Sequence, residues 1–239
     1  MNGNIVLVEK KPRERLGALV QPEANVEILR SMIEEYHRRG ELQKFGLDCR
    51  RKLLVCGAPG TGRTFVARIL AGELNMPLYG VILDRDMTAR RLIELFEEIG
   101  GARGVYVFEE VEGQAGMAFA IPEVVLDYIR NDRSDSILIG VKQQSQRGYI
   151  EGRNLSPWFD QKIYLSWPDK QARERMFANY LGSFYPGDMT HAIDRMKGVE
   201  YSHAALAALC KRLIRHAVLH DKSCIDEETI ASVIPAAAR

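Results

Sequence analysis

Cysteine is scarce in this chain. Cys49, Cys56, Cys210 and Cys224 are its only four, and no two stand in a C-x-x-C pair. That favours reduced thiols in a cytoplasmic protein over a disulfide framework or a cysteine metal knuckle. Long hydrophobic runs are missing too. No stretch approaches the roughly 18–20 apolar residues needed to cross a bilayer, so no membrane span is expected. The opening MNGNIVLVEKKPRERLG places its apolar residues before its basic ones, the reverse of a secretory signal. Nor does one sign of charge dominate: 33 Lys and Arg face 32 Asp and Glu, for a formal charge of +1. No global field then draws the protein toward nucleic acid or an anionic surface. What is present is ordinary for a globular protein: 239 residues, 46% hydrophobic, 27% charged, mean hydropathy −0.20. A chain of that size buries a core without disulfides or metals.

The hydrophobic pattern divides the chain. Residues 1–22 mix charges with Pro12, Gly17 and Pro22 and read as an extended arm. A helix is predicted from Glu23, with Val26, Leu29, Ile33 and Tyr36 at three- and four-residue spacing. RRGELQKFGLDCRRK reads as a loop with a partial turn. Apolar strands follow at KLLVC, PLYGVIL, GVYVF, SILIGV and KIYLSW, separated by helical patterns near 65–74, 88–99 and 122–130. Near-continuously apolar strands alternating with helices imply parallel strands covered on both faces. Beyond Pro168 the character changes. Helical patterns at 170–181, 191–196, 203–220 and 227–233 succeed one another without a strand, so the expected organisation is an arm (1–22), an α/β core (23–167) and a small α-helical lid (168–239).

Residues Gly57, Ala58, Pro59, Gly60, Thr61, Gly62, Arg63 and Thr64 form the G-x-x-x-x-G-K-[ST] frame, with Arg63 in the lysine position. A strand precedes this frame and a helix follows it, which is the context a phosphate loop requires. Glycines let backbone N–H groups turn inward around a phosphate, the helix N-terminus favours negative charge, and Thr64 offers a hydroxyl to Mg²⁺. The alternative is a glycine-rich turn without a ligand. Arg63 keeps the positive charge but replaces a compact ammonium with a broad planar guanidinium. Transition-state stabilisation should suffer from that change more than ground-state binding. Strand GVYVF runs directly into Glu109 and Glu110. In a P-loop hydrolase such a pair places one carboxylate near the metal and one as base toward the attacking water. Glu109 occupies the position of the expected Asp, and Glu110 that of the base.

GAPGTGRT, VYVFEE, FDQKIYLSWPDKQARERMFANYL at 159–181 and YSHAALAALCKRLIRHAV at 201–218, in that order, resemble the AAA family of ATPases over about Leu19 to Ile234. The resemblance implies a P-loop αβα core with a parallel sheet and an α-helical lid, ATP and Mg²⁺ as cofactors, and frequently a ring of subunits. It also implies a water-orienting amide after the fourth strand, at Gln143 or Gln144. Several positions depart from the family pattern. Leu155, Ser156, Pro157 and Trp158 stand where arginine fingers are usual, with Arg147 and Arg153 the nearest substitutes. Loss of a finger in trans lowers hydrolysis by a factor on the order of a thousand. His203 replaces a small glycine whose backbone lies against the adenine. The segments LDRDMTARR and VEGQAGMAFA are shorter than the pore loops of threading members, so processive unfolding is not expected.

Other signals carry less. His216 and His220 are four apart on one predicted helix but lack a third metal ligand in reach. Arg38, Arg39, Lys44, Arg50, Arg51 and Lys52 form a basic cluster, interleaved with Glu41 and Asp48 and without base-stacking aromatics, which reads as a solvated surface rather than a nucleic-acid site. The sequence-level expectation is an ATP-binding module with weak or switch-like hydrolysis that controls assembly with itself or a protein partner. A catalytically inactive pseudo-ATPase serving as an interaction scaffold is the alternative.

Overall fold

The structure, a computed structural model, describes residues 6–81, 88–99, 102–109, 111, 120–143, 155–197, 199 and 201–234. Contacts divide the chain into two compact units, one joining the chain through Ala58 with Arg63–Leu165, the other joining Pro59–Gly62 with Ser166–Arg239.

The first unit is built on a six-stranded sheet: β1 (Val6–Glu9), β2 (Lys52–Gly57), β3 (Leu78–Val81), β4 (Val105–Phe108), β5 (Ile137–Gln143) and β6 (Gln161–Leu165). Their order across the sheet is β1-β3-β4-β5-β2-β6. The five strands β2 to β6 run parallel, and β1 adds an antiparallel edge along β3. The expected parallel α/β core is therefore present, and part of the segment read as an extended arm is a sheet strand. Its short apolar run, Val6, Leu7 and Val8, is paired as a strand along the edge of β3.

Alternation along the strands explains the two covered faces. Leu53, Val55, Val105, Val107, Ile137, Ile139, Ile163 and Leu165 point to one side. There they pack against α1 (Glu23–His37) through Leu29, Met32 and Tyr36, and against α3 (Arg63–Glu73) through Val66, Ile69 and Leu70. Leu54, Cys56, Tyr106, Phe108 and Leu138 point to the other side. They meet Leu92, Leu95 and Phe96 of α4 (Ala89–Ile99) and Val125, Leu126 and Ile129 of α5 (Ala120–Asn131). The loop expected after α1 contains one further short helix, α2 (Arg39–Gln43), which begins beside an ion pair from Arg38 to Glu41 at 2.8 Å.

The basic cluster of this region is largely consumed by internal partners. Arg38 pairs with Glu34 and Glu41, Arg50 with Glu35, and Arg51 with Asp132, the last pair nearly buried. Lys52 is buried and donates to the carbonyl of Arg130 at 3.0 Å. Desolvation draws the Lys52 ammonium below the usual lysine range.

The second unit is helical: α6 (Lys170–Leu181), α7 (Thr190–Arg195), α8 (His203–Leu219) and α9 (Glu227–Val233). Side-chain caps start three of these helices. Asp169 accepts from Ala172 N–H at 2.8 Å, Ser202 from Ala205 N–H at 3.1 Å, and Asp226 from Thr229 N–H at 2.8 Å. His216 and His220 stack with ring centroids 4.1 Å apart near the end of α8.

Candidate nucleotide site

Three parallel strands end at the same edge of the sheet, where the crevice at their carboxyl ends is the usual ligand position in open α/β sheets. β2 ends at Gly57, which lies in register with Gln143 at the end of β5. β4 ends at Phe108, so Glu109 leaves the sheet at that edge. Val111 N–H donates to the Val141 carbonyl at 3.1 Å and ties the chain after the acidic pair to β5. Glu110 itself, with Gln144, Arg147 and Arg153, lies outside the described residues.

The loop has the backbone its glycines permit. Gly60 sits at φ +78° and Gly62 at φ +103°, conformations that cost little only without a Cβ. Helix α3 then starts at Arg63. At its first turn the Thr64 hydroxyl donates to Glu109 Oε1 at 2.8 Å. The two oxygen groups expected from sequence to serve a divalent ion thus meet across 45 residues of chain. Arg63 Nη1 is buried with no hydrogen-bond partner among the described residues. An arginine N–H in that condition is unfavourable unless an anion completes it. Left-handed glycines, an unmatched guanidinium donor and a hydroxyl–carboxylate pair of hard oxygens are what a nucleoside polyphosphate with Mg²⁺ requires, so the residues present fit that group.

Within the helical unit, the middle of the loop is held by α8. Ala204 N–H donates to the Gly60 carbonyl at 3.0 Å, and a Cβ on Gly60 would stand 2.6 Å from Ser202 Oγ and 2.9 Å from Ser202 Cβ. Ser202 is both the cap of α8 and the wall against which Gly60 fits. Its capping role is legible as a Ser directly before an apolar-periodic helix. Its meeting with a residue 142 positions earlier is not. His203, the first residue of α8, is half-buried. Asp160 is a second residue that motif reading leaves without a role. Its carboxylate accepts from the N–H groups of Arg51 and Lys52 at 2.8 and 2.9 Å, anchoring the start of the strand that leads into the loop. Trp158 and Phe159 pack against the α4–α5 side of the core. Phe159 lies over Gly140, where a Cβ would come within 2.4 Å of its ring.

A parallel sheet with a strand–loop–helix phosphate loop, acidic residues at the end of a neighbouring strand and a following helical unit defines the class of P-loop nucleotide-binding proteins. Comparison with known proteins narrows this. A family model described as "ATPase family associated with various cellular activities (AAA)" matches residues 53–139. The chain is 26% identical to the AAA family ATPase y4kL of Sinorhizobium fredii, over 96% of this chain and 73% of that protein. It is 26% identical to the ATP-dependent zinc metalloprotease FtsH of Nitrosococcus oceani, over 62% of this chain and 26% of that one. With FtsH of Methylococcus capsulatus the identity is 32%, over 47% of this chain and 16% of the relative. The chain therefore spans about a quarter or less of these FtsH proteins and about three quarters of y4kL. On these matches and its fold, the chain is similar to the AAA family of ATPases, with the family match confined to residues 53–139.

Proposed function

We propose that this AAA module binds Mg-ATP at 57–64 and uses weak, switch-like hydrolysis to control assembly with itself or a protein partner. The observation that carries this reading is the 2.8 Å bond from Thr64 to Glu109 at the start of the phosphate-loop helix. Gly57, Ala58, Pro59, Gly60, Thr61 and Gly62 wrap the phosphates, all but Pro59 offering a backbone N–H, and Arg63 contributes its unmatched guanidinium N–H. Thr64 and Glu109 hold Mg²⁺. A bound magnesium ion supplies charge neutralisation on the terminal phosphates. Glu110, next in the chain, accepts the proton of the attacking water, and Gln143 orients that water. Turnover is slow because a planar guanidinium is a poor match for the charge that develops in the transition state.

That same arginine supports a second reading, a pseudo-ATPase kept as an interaction scaffold. Titration with Mg-ATP and a phosphate-release assay separate the two. Absence of binding at millimolar ATP rejects the first reading. Phosphate release that disappears in Glu110→Gln rejects the second. Neither reading calls for nucleic acid, and the internal pairing of Arg38, Arg50 and Arg51 supports leaving it out. No helix among the described residues is long and apolar enough to cross a membrane.

A further inference from the structure

The first strand does not end its role at the sheet edge. After β1 has paired with β3 through Glu9↔Leu78, the chain runs along the flank of α3 and is fastened there repeatedly. Arg68 of α3 reaches Glu9 at 3.2 Å with one guanidinium nitrogen and Glu14 at 3.3 Å with another. Leu16 N–H donates to Glu73 Oε1 at 2.7 Å, and Leu16 packs against the buried cluster on that face. Gly72 is what lets the segment approach so closely. A Cβ there would stand 2.1 Å from the Glu14 carbonyl oxygen and 2.7 Å from Arg15 Nη1. No single exposed ion pair is worth much. Here, however, two ion pairs, a backbone hydrogen bond and a missing Cβ converge on residues 68–73 of the helix whose first turn carries Arg63 and Thr64.

An α-helix is stiff over this distance, and Gly72 lies roughly 12 Å along the axis from Thr64. A tilt of about 10° at Gly72 would displace Thr64 by about 2 Å, enough to break its bond to Glu109. We propose that residues 9–16 form a strap that sets the orientation of α3, and that Arg68, Gly72 and Glu73 are positioning residues for Mg-ATP, touching the strap rather than the nucleotide. The inference rests on the nucleotide reading above and adds to it: strap attachment and nucleotide affinity are coupled, and thermodynamic linkage makes that coupling reciprocal.

The test uses the full chain. Mg-ATP affinity is measured by calorimetry, and amide hydrogen exchange is followed at residues 6–9, for the wild type, Arg68→Glu, Gly72→Ala and a charge-swapped triple variant (Arg68→Glu with Glu9→Arg and Glu14→Arg). Arg68→Glu, on an exposed helix flank, is expected to fold, to speed exchange at residues 6–9 and to weaken Mg-ATP binding roughly tenfold. The triple variant should restore both quantities. Saturating Mg-ATP should slow wild-type exchange at residues 6–9 by a similar factor. Faster exchange in Arg68→Glu with unchanged affinity overturns the strap, as does unchanged exchange in both single variants. Failure of the wild type to bind Mg-ATP overturns the nucleotide reading itself, an outcome distinct from wild-type binding that the Arg68 change leaves intact.

Discussion

On the proposed nucleotide reading, Arg63 is the residue at which binding and turnover should part. The lysine of the phosphate-loop frame is a point charge, whereas a guanidinium must find room for a plane. Restoring the frame with Arg63→Lys should raise the phosphate-release rate by about tenfold or more while changing Mg-ATP affinity less, measured by steady-state turnover beside calorimetry. Thr64 makes the complementary case. Its hydroxyl is solvent-exposed and bonds only Glu109 in the described contacts, so Thr64→Ala should move stability by no more than about 0.5 kcal/mol. Nucleotide affinity should fall, and its dependence on Mg²⁺ should flatten in titrations with and without the ion. Gly60 is constrained on two counts, by φ +78° and by Ser202 Oγ 2.6 Å from any Cβ. Gly60→Ala should cost about 1–3 kcal/mol in thermal unfolding and weaken nucleotide binding with it. Of these residues, the strand–loop–helix context of Gly60, Arg63 and Thr64 was legible from local pattern alone. The Thr64–Glu109 bond was implied by that pattern but had to be seen, because it joins two elements through the fold.

Elements are held in place by polar anchors that local sequence does not announce. The start of β2 depends on Asp160, which serves two backbone N–H groups, and on the nearly buried Arg51–Asp132 pair. Removing one partner of a buried pair leaves the other charged and unmatched, so Asp132→Ala should cost about 3 kcal/mol or more in a denaturant melt. The Glu35–Arg50 pair fastens the end of α1 to the segment before β2 and gives a pH signature. Hydrogen bonds from the Arg50 side chain, opposed by desolvation, hold the Glu35 carboxyl below its ordinary value of 4.5. Its folded-state pKa is depressed, so its contribution is complete above pH 4.5 and disappears as pH falls below that value. Wild-type stability should therefore drop in this acidic range more steeply than that of Glu35→Gln, as followed by melting temperature against pH. The helices and parallel strands were readable from period-3.6 and continuous apolar patterns. The basic cluster misleads at this scale, since six cationic residues spread over 38–52 say nothing of Glu35, Asp132 and the Arg130 carbonyl that neutralise or bury four of them with Glu34 and Glu41.

At the scale of the whole molecule, contacts group Pro59–Gly62 with the helices and Arg63–Leu165 with the sheet. If nucleotide governs assembly, sedimentation of the wild type with and without Mg-ATP should show a change in oligomeric state or partner capture, and Glu110→Gln should hold the ATP-bound form. An unchanged distribution would leave binding without a switch. The sequence by itself determined the class of fold, the order of β2 to β6 with the helices between and after them, and the composition of the loop, because hydrophobic periodicity and glycine chemistry act within a few residues. It determined the replacement of lysine by Arg63 in the same way. Only tertiary structure decided that β1 joins the sheet beside β3, that Arg68 and Gly72 receive the segment after it, that Asp160 anchors β2 and that Ser202 closes on Gly60. Each of these contacts spans tens of residues or more, and each depends on which surfaces the packed core leaves side by side.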